Sequence, residues 1–483
     1  MRPDLDVFKG RDSPSPVREK VHAPNLISLT GRSLLLRRAY VQQALCSPSR
    51  TSLLTGRRPD TTHVYDLDTY WRKVAGNFTT LPQYFKNHGY NTLGFGKIFH
   101  HGDASGNNDP LSWSEPYYET KPEVNGFATD GNSWRAVPTN LLKSNSLQDT
   151  ITTNVAIQKL KSIAPKARSG QEPFFLALGY HKPHLPFVFP EKFLSYYPDD
   201  SIHLPPNQYP PLDMPSIAWT RYPELRSYKD IAHLNASGEP NTTLPANVVK
   251  ALRRAYYSCI SYIDEELGRV LTELEQQGLA DDTIISFFGD HGWQLGEHGL
   301  WSKHTNFDVA THAPMMLHIP GLTDQGIVTE ELVEFVDLFP TLVDAAGLPT
   351  LQVCPEDSSK MDVCTEGQSF LPLIKQPKTD NWKNAAFSQF PRHQNLRHQI
   401  MGYSMTTGRY RYTEWVGFDG THYKPHWSAL YGAELYDHYQ DPQENVNLVH
   451  EPAHKGLVAR LSNRLHAGWR HEVTTHQGPS IIG

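Results

Sequence analysis

Four short apolar runs, set apart by long stretches of helical pattern, constrain this chain more than any other feature. Asn91–Gly94, Phe174–Gly179, Thr283–Phe288 and Met315–Ile319 are bounded by turn residues and read as buried strands. Between the second and third runs lies Pro245–Leu279. There Val248, Leu252, Tyr256, Ile260, Ile263, Leu267, Val270, Leu271 and Leu274 recur near helical spacing, and Gly278 is placed to end the helix. Buried strands alternating with long helices argue for an α/β fold with a large, mostly parallel central sheet flanked by helices. Met401–Phe418 differs, alternating like antiparallel strands about a turn at Thr407-Gly408. With 483 residues the chain exceeds one simple core. It divides into a larger α/β domain over 1–378 and a smaller α+β domain with an antiparallel sheet over 379–483. Residues 186–245, rich in proline and tyrosine, read as a long irregular excursion over the active face.

The formal charge of −6 gives no sign of a nucleic-acid partner, and no apolar run is long enough for a membrane span. The first residues lack the apolar core of a signal peptide. Histidine changes the charge picture: protonating the 24 imidazoles would turn the chain cationic in mildly acidic surroundings. That suits an acidic compartment and a polyanionic substrate, although purposeless surface histidine is an equal reading. Four cysteines are too few for a disulfide scaffold. Cys354 and Cys364 bracket a polar loop and are placed to close a short disulfide, while Cys259 falls within the helical pattern as a small hydrophobe. Asn77, Asn235 and Asn241 head glycosylation sequons, which lean toward a secretory route.

Cys46 is left over, in the segment Cys46-Ser47-Pro48-Ser49-Arg50 followed by TSLLTGRRP. A serine nucleophile serves sulfate esters poorly, because the sulfated enzyme has no easy exit. An aldehyde hydrate solves this: one hydroxyl attacks sulfur, and the other then expels sulfate by re-forming the carbonyl. Cysteine oxidised to formylglycine supplies that geminal diol. Ser47 to Thr51 read as the opening of a short helix ending near Thr55-Gly56, with its N-terminal amides toward a bound sulfate.

Cys-x-Pro-Ser-Arg is the pattern read by the formylglycine-generating enzyme, and the segment resembles that of the type I sulfatases, whose fold is alkaline-phosphatase-like. The resemblance continues in order along nearly the whole chain: Lys97 and His100 in LGFGKIFH, His181 and His184 in GYHKPH, Asp290-His291-Gly292 after a strand, Lys303 in GEHGLWSKHTNFD, and Glu434-Leu435-Tyr436-Asp437 near the end. It implies that Cys46, Asp290 and His291 bind Ca²⁺. It also implies that Arg50, Lys97, Lys303 and His181 surround the sulfuryl group, with His181 and His100 moving protons. His184 and Trp293 are candidates for holding the sugar. The blocks GRRPDTT, YHKPHLPF, DHGWQLGEHG, FDVATHAP and YRYTEWVGF resemble a branch acting on 2-O-sulfated iduronate at the non-reducing end of heparan or dermatan sulfate, in lysosomes.

Members of the family open with a buried strand ending in two metal-binding aspartates, which the resemblance places immediately before Met1. The expectation is an N-terminally truncated sequence whose central sheet lacks a strand and whose activity is poor. Other readings are a different sulfatase, aryl or glycosaminoglycan-directed, a phosphoesterase of the same fold, or a non-catalytic protein that binds sulfated glycans. The oxidisable cysteine counts against the phosphoesterase; the intact lysines and histidines count against the binding protein.

Overall fold

The computed structural model describes residues 1–2, 6–8, 20–120, 130–142, 146–395 and 398–472. The strands framing the larger region are β1 (Leu34–Tyr40), β2 (Asn91–Gly96), β3 (Phe174–Gly179), β4 (Ile285–Phe288), β5 (Met315–His318) and β6 (Ile327–Glu334). A four-stranded sheet runs β6-β1-β5-β4, and β2 and β3 form a separate parallel pair. β1 and β6 are parallel, but β5 is antiparallel to both β1 and β4. Of its four strands β6, β1 and β4 therefore run the same way, as expected of a mostly parallel sheet, and β5 is reversed. The physical reason is the β4–β5 connection, whose one α-helix is the single turn Asp308–Thr311, too short for the crossover a parallel return needs.

The helices that position the site are α1 (Cys46–Thr55), α2 (Gln148–Arg168), α3 (Pro223–Arg226) and α4 (Ala246–Gln276). α4 buries Leu252, Tyr256, Ile260, Ile263 and Leu274, the face its spacing predicts, and Gly278 follows it at φ 62°. Among the described residues, β3 bonds only to β2, and β4 only to β5. Both strands are apolar yet only partly buried. A cavity of about 290 Å³ lies between them, lined by Leu160 of α2, Leu267 and Leu274 of α4, Leu176 and Leu178 of β3, and Ile285 of β4. Its far end reaches Met1, Lys97, His181 and Asp290.

The C-terminal region is an antiparallel meander, β7 (Ala385–Asn395), β8 (His398–Thr407), β9 (Tyr410–Asp419) and β10 (Lys424–Asp437), bonded in chain order. Helix α5 (Lys455–Ala467) lays Leu461 and Leu465 against Met405, Tyr412 and Leu435. A buried charge cluster joins the two regions. Lys383 Nζ lies 3.0 Å from Glu334 and also meets Asp337, while Arg58 grips Glu334 through both nitrogens at 2.7 and 2.8 Å.

Cys354 and Cys364 form the expected disulfide, and Cys259 is buried in α4. Asn77, Asn235 and Asn241 are all exposed, as an attached oligosaccharide requires. Within 186–245, Phe187–Pro190 departs from the expected irregularity as a strand paired in parallel with Trp134–Val137, and the rest holds only short helical turns. Among the described residues, no helix is long and apolar enough to cross a membrane.

Candidate active site

Cys46 is the first residue of α1. Leu45 precedes it in an extended conformation, Gly56 ends the helix at φ 65°, and every helix residue except Arg50 is buried. The thiol thus sits at a helix N-terminus, where unpaired amides favour negative charge. Other groups arrive from the carboxyl ends of strands: Lys97 directly after β2, His181 two residues past β3, and Asp290-His291 just past β4. This is where α/β sheets place ligands. Lys97 Nζ lies 3.6 Å from Cys46 Sγ, and His291 Nε2 lies 3.4 Å from it.

Glycine sets the distance between two of these strand ends. Gly96 has φ 72°, and a Cβ on it would fall 2.0 Å from the Gly179 carbonyl oxygen. A Cβ on Gly179 would fall 2.0 Å from the Lys97 carbonyl oxygen. The backbones instead meet directly, with the Lys97 amide donating to Gly179 at 2.8 Å.

The charges around position 46 are strongly biased. Burial alone would raise the Cys46 thiol, but the Lys97 and Lys303 amines together with His184 outweigh it and hold the thiol well below its usual range. Burial opposes ionisation of Asp290 too, yet Arg50 and His291 keep it a carboxylate. Arg50 has partners within the protein. It donates to Asp290 Oδ2 at 2.9 Å, to the Ile98 carbonyl at 2.8 Å and to the Lys97 carbonyl, so it orients Asp290 and the end of β2.

His181 lies at the same mouth, with Nδ1 3.4 Å from Asp149 and Nε2 3.2 Å from Gln148. Burial lowers its pKa even though Asp149 pulls upward. His100 is stacked on His101 at 4.8 Å, and burial together with Lys97 brings it to about 4, leaving it a neutral base near pH 7. His184 approaches Lys303 Nζ at 2.9 Å through Nε2. Trp293 does not offer an open stacking face for a sugar. It is 3% exposed, sandwiched near His291 and Tyr256, with the Lys303 amine 4.9 Å from its ring centre. It serves as a wall beneath Lys303, because its rings pack into the main core.

Cys46, Asp290 and His291 bring their ligand atoms within 4.8 Å of one another, a grouping compatible with a metal ion. His291 Nδ1 lies 2.7 Å from the Gly292 carbonyl and so carries the proton, leaving the Nε2 lone pair toward position 46. Both Arg50 contacts with Asp290 fall on Oδ2. Calcium prefers oxygen donors, so Asp290 and an oxygen-bearing position 46 suit it better than the thiol does.

Two acids escape sequence reasoning. Asp149 accepts the backbone amides of His181 and Lys182 at 2.8 and 3.1 Å; its only signal is its place at the start of an amphipathic helix. Glu224 lies 2.7 Å from Lys303 and 3.0 Å from His184, delivered from the irregular excursion where no local pattern marks it.

Comparison with known proteins accords with this geometry. The sulfatase family profile matches residues 15–348, and that of the N-sulphoglucosamine sulphohydrolase C-terminal region matches residues 296–471. Iduronate 2-sulfatase of Mus musculus is 38% identical across 91% of this chain and 89% of its own length. The Homo sapiens protein of that name is also 38% identical, across 89% and 87%. In three dimensions the chain is similar to the phosphonate monoester hydrolase of Agrobacterium radiobacter, with a TM-score of 0.71 at 21% identity, over 98% of this chain and 95% of that one. At that identity the likeness is one of fold, the alkaline-phosphatase-like fold common to sulfatases. A family match over more than half the chain, together with relatives at 38% identity over nearly all of it, makes this chain a member of the sulfatase family and a sulfatase enzyme.

Proposed function

We propose that this sulfatase removes the 2-O-sulfate from non-reducing-end iduronate of heparan or dermatan sulfate, using formylglycine made from Cys46. The observation carrying the reading is the setting of Cys46: a buried helix N-terminus with Lys97 at 3.6 Å and His291 at 3.4 Å. The 38% identity to iduronate 2-sulfatases supports the choice of substrate.

Each residue has a task in this reading. The Lys97 and Lys303 amines stabilise charge as it develops on the sulfuryl oxygens. His181, steadied by Asp149, gives a proton to the departing sugar oxygen. His100, neutral near pH 7, takes one from the second hydroxyl as the carbon–oxygen bond to sulfate breaks. His184 faces the sugar. Calcium, held by Asp290, His291 and position 46, would polarise a sulfate oxygen when bound. Maturation by the formylglycine-generating enzyme, glycosylation at Asn77, Asn235 and Asn241, and lysosomal action belong to the same proposal.

Mass spectrometry of the Cys46 peptide, paired with turnover assays, tests it. Formylglycine at position 46 and release of sulfate from 2-sulfated iduronate disaccharides in preference to aryl sulfates are expected. An unmodified thiol throughout, with sulfated glycan bound but not cleaved, would overturn it.

A further inference from the structure

We infer that Glu224 is a positioning residue for the sulfuryl-transfer step, holding the Lys303 amine and the His184 imidazole in fixed places beside position 46. This rests on the sulfatase reading and adds to it a residue that works through two others.

Carboxylates are unexpected partners in a pocket built for an anionic ester, since each one repels the substrate. Glu224 is nevertheless four-fifths buried, with its two oxygens divided between two cation-capable groups. Oε2 lies 2.7 Å from Lys303 Nζ, and Oε1 lies 3.0 Å from His184 Nε2. Those two nitrogens are themselves 2.9 Å apart, which closes a triangle. Lys303 has little else to hold it. Its side chain is 3% exposed, and its amine lies over the Trp293 ring. A buried amine needs a counter-charge, and the Glu224 carboxylate supplies one whether or not position 46 carries a thiolate. Glu224 in turn stays ionised despite burial, because Lys303 and His184 face it. The triangle also steadies the His184 ring. With Nδ1 2.6 Å from the Leu185 carbonyl and Nε2 between Lys303 and Glu224, the ring is held at both nitrogens.

The backbone that carries Glu224 is constrained for the purpose. α3 begins after Tyr222, a bulky residue with φ 39° and no exposure, locked into the main core. Such a conformation persists only where its surroundings over-determine it. Arg226 donates to the Ala236 carbonyl at 3.0 Å and Trp219 to the Gly238 carbonyl at 2.8 Å, fastening the excursion on both sides. A strained, anchored turn that delivers one carboxylate onto one lysine is a placement device.

The test compares wild type, Glu224→Gln and Glu224→Asp, each with its formylglycine occupancy and unfolding midpoint measured. Glu224→Gln should lower kcat about 10²-fold with KM held within about 3-fold. Glu224→Asp, which keeps the charge, should recover at least about a tenfold part of the loss. Crystal structures add a readout independent of turnover: in Glu224→Gln the Lys303 amine should leave His184. Unchanged kcat, an amine that stays in place, or a loss that follows the unfolding midpoint and is not recovered by aspartate would each overturn the inference. A wild-type protein that cleaves no sulfate ester defeats the sulfatase reading instead, and the crystal structures then decide the role of Glu224 alone.

Discussion

The two sheet systems of this molecule are completed in opposite ways. In the C-terminal meander, β8 and β9 are bonded along both edges to strands adjacent in sequence. In the catalytic region, among the described residues, β3 and β4 are each bonded along one edge, with an apolar cavity between them. Hairpins close themselves from local sequence, whereas an α/β sheet draws every neighbour from a distant part of the chain. Of the groups proposed to act on the sulfate, His181, Asp290 and His291 stand just past the ends of these less completely bonded strands, and Lys97 follows β2 beside them. The well-bonded sheet acts as a brace, tied to them through Lys383, Glu334 and Arg58.

The largest expected effect falls on one side of this comparison. Cys46→Ala should cut sulfate release by at least about 10³-fold. It should leave the unfolding transition of the C-terminal sheet in place, as read by circular dichroism. Lys383→Met comes next. It strips Asp337 of its cation and leaves Glu334 to Arg58 alone, and should cost about 3–5 kcal/mol in urea unfolding. A single shared transition would show that the brace couples both regions; two separate transitions would break that view.

The same truncation in both regions sharpens the contrast. Leu461→Ala opens a hole in a packed cluster and should cost about 2–4 kcal/mol. Leu176→Ala only enlarges an existing cavity beside a partly exposed strand, and should cost about 1 kcal/mol. Equal losses would mean that β3 is as tightly packed as the meander.

Acid should separate the regions most gently. His100 and His304 have folded pKa values near 4 and 3, lowered by burial and by Lys97 and Lys303 respectively, against 6.5 unfolded. As pH falls below about 6.5, the unfolded chain takes up protons that the folded chain refuses, so the catalytic region loses stability down toward pH 4. His438 in the C-terminal region behaves oppositely. Burial would lower it, but Glu444 and Asp308 raise it, so its contribution is complete below 6.5 and is lost only as pH climbs through the raised value. Hydrogen exchange at pH 7 and pH 5, corrected for intrinsic rates, should show loosening in β3 and β4 but not in β8 and β9. His100→Gln should reduce the difference.

Much of this organisation was legible in the residues. Buried strands appeared as apolar runs, α4 as helical spacing, and position 46 as a short motif whose chemistry admits few alternatives. β1 was not legible, because Arg37 and Arg38 interrupt Leu34–Leu36; in the fold they turn aside to Glu330 and to the Thr407 carbonyl. β6 hid for a similar reason, its apolar residues mixed with Glu330, Glu331 and Glu334. The direction of β5 could not be read, since a strand buried on both faces looks alike whichever way it runs. Glu224 and Asp149 were missed because their importance lies in partners far away in sequence, Lys303 and His181.

The glycine pair at the ends of β2 and β3 carries one more consequence. The gap between Lys97 and His181, which the proposed mechanism sets about the sulfuryl group, is gauged by two residues with no side chains. Their backbone atoms touch, so this dimension is immune to repacking elsewhere and can be spoiled by a single methyl group. Alanine at either place would act as a shim, prising Lys97 from His181 while leaving every reactive atom chemically intact.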